Sequence, residues 1–254
     1  MEQREQTFSA AQMLRSAGSC QDHWSPDLKE HPTKNEIFCR LDDAAGSGLA
    51  LALAAQSAAG KPWLWVQDKQ SRRRSGMPYI HGLPESIRHN LHYVAVQTPE
   101  DALFAMEEGL RCAGLSFVIG ELSGDPKALG FTASRRLAVA SEANGVPLYL
   151  LRGDASRQLS AARMRWDVVV APSLPHRWDK RAPGSAQAQA ELFRTRLYRP
   201  GRWWLTHEDG KLTAANIKDT HAGNSAGTTA ISPADGVDLA ALTGDQPLAA
   251  SGRG

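Results

Sequence analysis

Short apolar runs alternate with amphipathic helical windows through the middle of this 254-residue chain, and this alternation constrains its fold more than any other feature. Each run is bounded by turn or charged residues, which is typical of buried strands. Strands that alternate with helices favour a mostly parallel sheet covered by helices on both faces. The predicted strands are 36–41, 62–68, 91–97, 115–122, 147–152 and 166–171.

The segments between these strands predict three helices, at 48–59, 99–112 and 132–143. Thr98, with Asp101 three residues later, is a typical helix start, and Asn144-Gly145 is a typical helix end. The last apolar segment, AELFRTRLYRPGRWWLTHED, alternates apolar and basic residues on either side of a Pro-Gly turn. This pattern predicts an antiparallel hairpin at the edge of the sheet. We therefore expect an α/β domain with a mixed sheet.

The two ends of the chain differ in composition from this middle part. Residues 1–35 are polar, with a short helical pattern at 9–17, and are expected to form an N-terminal arm or linker. Residues 36–209 form the predicted core domain. From residue 210 onward Gly, Ala, Ser, Thr and Asp dominate without a sustained apolar period, so burial cannot offset the entropy of ordering this part. We predict a disordered tail at 210–254, and expect deletion of 215–254 to leave the melting temperature nearly unchanged.

Composition and cysteine spacing argue against several classes of protein. The formal net charge of +2 is too small to indicate nucleic-acid binding by itself. Cys20, Cys39 and Cys112 are far apart, which argues against a zinc site and against a secreted disulfide framework. The chain start has no apolar signal-peptide core, and no stretch approaches the ~20 apolar residues of a membrane span. We expect a cytoplasmic protein with no membrane contact.

The loop CRLDDAAGSG follows the first predicted strand, at the place where an NTPase has its phosphate-binding loop. Such a loop needs glycines, a lysine that reaches the phosphates, and a hydroxyl for Mg²⁺. Here Asp42 and Asp43 put negative charge at the start of a helix, where they would repel a triphosphate. They either cap the helix and interact with its dipole or serve a catalytic or metal-binding role. Gly46-Ser47-Gly48 is too short a glycine signal to make a phosphate site.

From NEIFCRLDDAAGSGLALALAAQSAAGKPWLWVQD through NLHYVAVQTPEDALFAMEEGLRCAGLSFVIGEL, the order and length of the segments resemble the RecA recombinase core. Lys69 falls at the place of the water-activating glutamate, and a cation cannot act as that general base. Glu121 matches the Walker B aspartate and alone keeps a carboxylate. The places of the P-loop glycines, the phosphate lysine and the Mg²⁺-binding hydroxyl are taken by Cys39, Ala44, Ala45 and Gly46. The resemblance implies a RecA-like core with no catalytic residue, no cofactor and no metal.

The remaining segments up to residue 209 follow the same order. SGDPKALGF and RGDASRQLS match, in shortened form, the two loops with which RecA grips single-stranded DNA. Arg152 stands where RecA has a nucleotide-sensing glutamine, and we expect it to pair with Glu121 or Asp154. The strings ALFAMEEGLR, VIGEL, TASRRLAVASEANGVPLYLLR, RWDVVVAPS and RTRLYRPGRWWL resemble ImuA, the family of catalytically degenerate RecA relatives found in bacterial mutagenesis cassettes.

The resemblance to ImuA implies a non-catalytic accessory protein of SOS-induced mutagenesis and translesion DNA synthesis. The partners that it implies are an ImuB-like inactive Y-family polymerase and an error-prone DnaE-type polymerase. RecA, DNA and a second copy of the chain are further candidates. Two other hypotheses stay open. One is a residual nucleotide-dependent DNA-binding ATPase that uses Glu121, and the other is a DNA-binding accessory factor that does not hydrolyse ATP.

Two groups of residues are candidate contact surfaces. The first is the densest cation cluster, expected on a loop at the carboxyl edge of the sheet. Two interpretations are open: the cluster binds DNA or an acidic partner, or its side chains are merely solvated. It consists of Lys69, Arg72, Arg73 and Arg74. The second is the hairpin, which mixes cations and aromatics. This mixture is typical of interfaces and stacking surfaces. It is also typical of a strand that packs one face on the core and exposes the other to water. Its predicted partner-binding residues are Arg194, Arg196, Tyr198, Arg199, Arg202, Trp203 and Trp204.

Overall fold

The computed structural model describes residues 24–26, 33–56, 60–179, 181–196, 198–208 and 211–217. Within these ranges the chain forms nine strands and five helices. The strands are β1 (Lys34–Cys39), β2 (Trp63–Gln67), β3 (Leu91–Ala95), β4 (Val118–Ser123), β5 (Leu148–Gly153), β6 (Met164–Ala171), β7 (Ala186–Thr195), β8 (Gly201–Glu208) and β9 (Lys211–Asn216). The helices are α1 (Ala45–Ala55), α2 (Lys69–Ser75), α3 (Glu85–Arg88), α4 (Pro99–Arg111) and α5 (Phe131–Asn144), with a 3₁₀ turn at Ile80–Gly82.

The strands form one mixed sheet in the order β3-β2-β4-β5-β1-β6-β7-β8-β9. The first six strands in this order run parallel to their neighbours. β7, β8 and β9 are then added in antiparallel pairs. The prediction of an α/β fold with a mostly parallel sheet and a C-terminal antiparallel hairpin is confirmed, and the arrangement is that of a RecA-like core.

Alternate residues of each central strand supply two separate hydrophobic layers. On β2, Trp63 and Trp65 lie on the face covered by α1, here called the front face. Leu64 and Val66 lie on the back face, which α4 and α5 cover. The strands are apolar on both sides because helices cover both sides. Full burial of a large apolar side chain contributes roughly 1.5–3 kcal/mol, so the two layers provide the main stabilisation of the sheet.

The predicted helix ends of the back face are confirmed. The hydroxyl of Thr98 accepts a hydrogen bond from the Asp101 amide at 3.2 Å and starts α4. α5 ends at Gly145, which has a φ of +68°. A residue with a Cβ is strained in this left-handed conformation, and glycine is not. The two helices are therefore fixed at positions that the local sequence specifies.

The ordered sheet extends beyond the predicted core domain at both ends. β1 begins at Lys34, two residues before the predicted boundary, and β9 lies within the range 210–254 that we assigned to the tail. β9 pairs with β8 along its length, from Trp203 opposite Asn216 to Glu208 opposite Lys211. The prediction that the hairpin forms the edge of the sheet is therefore wrong, since β8 is paired on both sides. Residues 1–23 and 27–32 of the predicted arm, and the tail beyond 217, lie outside the described residues.

Candidate functional site

The loops that follow the parallel strands meet at one edge of the sheet, because parallel strands end on the same side. Residues 40–44 follow β1, α2 follows β2, and Glu121 lies near the end of β4. Together they line an open cleft of about 490 Å³. Ligands of open α/β sheets bind at the carboxyl ends of the strands, so this carboxyl-edge cleft is the first candidate site.

Acidic side chains stand at the start of α1, where a phosphate-binding helix offers free backbone amides. The carboxylate of Asp43 accepts a hydrogen bond from the Ala45 amide at 2.8 Å. Asp42 instead forms an exposed ion pair with Arg40, and the hydrogen bond from Arg40 lowers the pKa of the Asp42 carboxyl. Of the two residues predicted to cap the helix, only Asp43 binds a backbone amide of α1, and it does so from the position before the N-cap residue Ala44. The first amide of α1 is thus already bound by a carboxylate.

Gly46, which the resemblance to RecA places at the Mg²⁺-binding hydroxyl, lies in close contact with Cys39. A Cβ on Gly46 would lie 2.5 Å from the Cys39 sulfur and 2.7 Å from its Cβ. Such distances do not occur between real side chains, so a serine or threonine at position 46 would force α1 away from β1. Burial, with smaller effects of Asp43 and Glu121, raises the pKa of the Cys39 thiol to about 12. The thiol is therefore a neutral packing group rather than a nucleophile.

The floor of the cleft contains Glu121, which is held by neutral hydrogen-bond donors. The Gln67 amide donates to one carboxylate oxygen at 2.7 Å, and the Ser75 hydroxyl donates to the other. The Tyr93 hydroxyl donates to Gln67 at 2.7 Å and so fixes the orientation of that amide. Burial raises the pKa of the Glu121 carboxyl, against smaller lowering effects of the Ser75 and Gln67 hydrogen bonds. In this arrangement Glu121 joins β4 to β2 and α2.

The geometry around Glu121 does not provide a metal centre. In the part of the chain that the structure describes, no group of three or more His, Cys, Asp or Glu side chains is placed to hold a metal ion. Both oxygens of Glu121 already accept hydrogen bonds from protein groups. A metal would have to displace the Gln67 and Ser75 donors before it could bind.

The predicted cation cluster lies on α2 rather than on a loop, and that part of the prediction is wrong. The side chain of Asp68 caps this helix by accepting a hydrogen bond from the Ser71 amide at 2.9 Å. Arg74 is engaged in an ion pair with Asp154 at 2.6 Å. The other cations are arranged along one helix, with Lys69 and Arg73 exposed and Arg72 half-buried. These residues therefore make α2 a short basic helix at the rim of the cleft.

The two segments expected to correspond to the DNA-gripping loops of RecA are hydrogen-bonded to each other. Asp125, in the first, accepts hydrogen bonds from the amide and hydroxyl of Ser156, in the second, at 3.1 and 2.7 Å. Arg152 pairs with Asp125 at 2.9 Å, so the expectation that it pairs with Glu121 or Asp154 is wrong. Asp154 binds Arg74 instead. The segments thus form one cross-linked surface at the end of β4 and β5.

Some of the predicted contact residues of the hairpin lie in the core, and others lie at the surface. The Trp203 ring lies 5.4 Å from the ring of Trp24 and 5.9 Å from that of Trp166, and only 3% of the residue is exposed. Tyr198 is buried as well. These two residues belong to the core, which corrects their assignment to a partner-binding surface. Half-buried Trp204 lies on the opposite face of β8, and the exposed hairpin cations are Arg194, Arg196, Arg199 and Arg202.

The carboxyl edge also exposes large apolar side chains that the sequence analysis did not single out. Met77, Tyr79 and Ile80 follow α2 and are 63, 73 and 52% exposed. Trp178, on the segment after β6, is 81% exposed. The signal in the sequence is a Met, a Tyr and an Ile placed together between Gly76 and Gly82, outside any strand or helix period. Clustered apolar exposure of this kind is typical of partner surfaces.

Comparison with known proteins adds no family assignment. No protein-family model matches the chain, and no curated protein matches it. None of the described helices is both long and apolar enough to cross a membrane. Together, the fold and the site define a RecA-like core whose carboxyl-edge cleft is lined by acidic, basic and neutral groups, with Arg40 and Arg74 beside Asp42, Asp43 and Glu121.

Proposed function

We propose that this chain is a non-catalytic, RecA-like accessory protein of SOS-induced mutagenesis and translesion DNA synthesis in the cytoplasm. It acts by binding an ImuB-like inactive Y-family polymerase and an error-prone DnaE-type polymerase, with RecA as a further partner. The chain hydrolyses no ATP, and it uses the RecA-like core as a scaffold for these contacts.

The carboxyl-edge cleft is the observation that carries this proposal. A carboxylate binds the first amide of α1, and the close contact between Gly46 and Cys39 leaves no room for a hydroxyl side chain. Lys69, at the place of the general base, is an exposed cation on α2. Phosphoryl transfer depends on electrostatic stabilisation of the phosphates and their Mg²⁺. A cleft in which Asp43 binds the first amide of α1 and a cation stands at the place of the general base supports an adaptor rather than an ATPase.

The exposed apolar side chains at the carboxyl edge support a role in protein binding. Tyr79 and Trp178 each leave more than two thirds of their surface in water. Aromatic residues are enriched among the side chains that carry most of the binding energy at interfaces. On a RecA-like core, this edge would then bind a polymerase instead of a nucleotide.

Capture assays with purified partners test the proposal. The full chain is titrated against an ImuB-like protein, a DnaE-type polymerase and RecA, and its Tyr79→Ala, Trp178→Ala and Trp204→Ala variants are compared. Truncation of an interface aromatic often costs ~2 kcal/mol or more, so at least one of these variants should weaken partner binding by roughly tenfold or more.

Phe104→Ala is the matched control, because Phe104 is a comparably exposed aromatic on α4, away from the carboxyl edge. Its affinity for the partners should equal that of the wild type. If the chain binds none of the three partners, or if Phe104→Ala loses as much affinity as the edge variants, the adaptor proposal is wrong.

The basic helix favours a second candidate function, direct binding of DNA without hydrolysis. Lys69 and Arg73 are exposed on the same short helix, and clustered cations supply the salt-dependent part of DNA affinity. Retention on single-stranded DNA should then fall with added salt, and should weaken in a Lys69→Gln/Arg73→Gln variant. Arg135→Gln, an exposed cation on α5, is the control that should retain the wild-type salt dependence. Equal retention of both variants would exclude α2 as a DNA contact.

A further inference from the structure

An apolar groove of about 340 Å³ runs along the front face of the sheet beside α1. Its floor contains Ala186 and Ala188 on β7, whose small side chains leave a depression between larger neighbours. Those neighbours are Val170 on β6, Leu205 on β8 and Leu212 on β9. Val170 is 62% exposed. Apolar surface on an otherwise covered sheet face is the kind of surface that a further element of structure covers.

Trp24 shows where the N-terminal part of the chain lies relative to this groove. Its ring packs at 4.7 Å from Trp166 and 5.4 Å from Trp203 on the front face. Trp203 pairs with Ala190, and the next front-face pair towards the carboxyl edge is Leu205 with Ala188, in the groove. Neighbouring rows on one face of a sheet are about 7 Å apart. The groove therefore begins one row beyond Trp24.

Along the strand direction, Trp24 packs at the level of Trp166, between the start of β1 and the groove. From Trp24 the chain must reach Lys34 at the amino-terminal end of β1. The groove lies on the opposite side of Trp24, towards the carboxyl edge, where β6 ends and β7 begins. A helix formed by residues before Trp24 would have a direct path along the front face into the groove.

The sequence that precedes Trp24 contains an apolar stripe suited to the groove. Ala10, Met13, Leu14 and Ala17 are spaced i, i+3, i+4 and i+7, which places them on one face of a helix. The seven chain steps from Ala17 to Trp24 span at most about 25 Å, and the groove extends about 13 Å beyond Trp203. A helix this short is marginal in water by itself. It would gain its stability by burying the stripe.

We propose that residues 9–17 dock as an amphipathic helix in the groove of their own chain, with Met13 and Leu14 against the alanine floor of β7. The C-terminal residues 218–254 are the less suitable occupant, since their Leu and Val residues follow no sustained helical or strand period. In the docked state the N-terminal helix completes the front face and covers an apolar surface next to the carboxyl-edge cleft.

Limited trypsin digestion of the full chain tests the docking. Cleavage after Arg15 needs several residues of extended chain, so it reports release of the helix from the groove. We expect cleavage at Arg15 to be at least about tenfold slower in the folded protein than in a free peptide of residues 1–23. Val170→Asp, in the groove, and Leu14→Gln, on the stripe, should each remove this protection.

Val169→Asp is the matched control, because Val169 is the neighbouring exposed residue on the other face of β6. It should keep the protection, and Leu14→Gln changes no residue of the described core, so the test does not depend on the stability of the groove variant. Cleavage at the rate of the free peptide, or equal loss of protection in Val169→Asp and Val170→Asp, would overturn the proposal. Protection that fades as the protein is diluted would instead assign the groove to the helix of a second copy.

Discussion

At the scale of single residues, the two adjacent tryptophans of β8 have different environments. Trp203 points to the front face and completes a cluster with Trp24 and Trp166, whereas Trp204 points to the back face and is half-buried. Strand geometry requires neighbouring side chains to lie on opposite faces. The sequence predicts this alternation, but it does not say which face is covered, because the covering residue, Trp24, lies more than 170 positions away in the chain.

Trp203→Ala should lower the free energy of unfolding by ~3–5 kcal/mol, since it leaves a cavity between two other indole rings. Trp178→Ala removes an indole that is 81% exposed, and should change the same quantity by less than ~0.5 kcal/mol. Chemical denaturation of the two variants measures the difference. Equal midpoints would show that Trp203 is not part of the packed core.

Glu121 should make the stability of the fold depend on pH. Burial raises the pKa of its carboxyl in the folded protein above the ordinary value of 4.5. At a pH between the ordinary pKa of 4.5 and the raised pKa of the folded protein, the folded state holds a proton that the unfolded state has lost. The contribution of Glu121 to stability therefore falls as the pH rises. Glu121→Gln removes that dependence, and should raise stability relative to the wild type near neutral pH more than at pH 4.5.

Melting temperatures of the wild type and Glu121→Gln, followed from pH 4.5 to 8, test this expectation. Glu100→Gln, an exposed change on α4, serves as the control and should run parallel to the wild type. A Glu121→Gln curve that also runs parallel to the wild type would show that the carboxyl is ionised in the folded state.

At the scale of elements, a buried ionic network joins β1 to α5 and β6. The ammonium of Lys34 binds Glu36 at 2.8 Å and the Ser134 hydroxyl at 2.7 Å. Arg165 binds the other Glu36 oxygen at 2.9 Å, and the Ser160 hydroxyl donates to Glu36 at 2.6 Å. Burial acts to raise the pKa of Glu36, but Lys34, Ser160 and Arg165 together lower it. The network fixes the segment before β6 against the start of α5.

Lys34→Met should destabilise the protein by ~3–5 kcal/mol, because it leaves the Glu36 carboxylate buried with one cation fewer. Arg40→Met breaks an ion pair whose side chains are both about two thirds exposed, and should change stability little, since water and salt screen that pair. Urea denaturation of both variants measures the contrast. A Lys34→Met protein as stable as Arg40→Met would show that Glu36 is protonated in the fold.

The central strands and the long helices are the elements that the sequence predicts best. Their apolar periods are strong because both faces of the sheet are covered, and Thr98 and Gly145 define helix ends locally. β9 was missed because, of its six residues KLTAAN, only Leu212 is a buried large apolar side chain. α2 was missed because KQSRRRS buries only Ser71, so tertiary position and the Asp68 cap define it rather than an apolar period.

At the scale of the whole molecule, the core extends as far as the last paired strand of the sheet. β9 provides β8 with a second partner strand and places Leu212 in the front-face layer. The boundary predicted at 209 separates two paired strands. The residues of the cleft were predicted better than the contacts around it, because Asp42 and Asp43 follow β1 and Glu121 lies near the end of β4. The pairing of Arg152 with Asp125 instead depends on how two loops meet.

Two truncations should therefore differ in their effect on stability. Ending the chain after residue 221 keeps β9 and should leave the melting temperature within a few degrees of the wild type. Ending it after residue 210 exposes the edge of β8 and the contact surface of Leu212, and should lower the melting temperature clearly. This replaces the expectation that 215–254 can be removed freely, since Ala215 and Asn216 pair with Trp204 and Trp203. Equal melting temperatures for the two truncations would contradict this role for β9.

Binding of MgATP by the full chain tests the central claim, that this RecA-like core works without a nucleotide, most directly. Thermal unfolding is followed with and without saturating MgATP, with an active RecA protein as the positive control, and turnover is measured in parallel. A ligand present at 100 times its Kd would stabilise the fold by about 2.7 kcal/mol. We predict no saturable shift and no turnover above background. A saturable shift accompanied by turnover that disappears in Glu121→Gln would show that the cleft is an ATPase site.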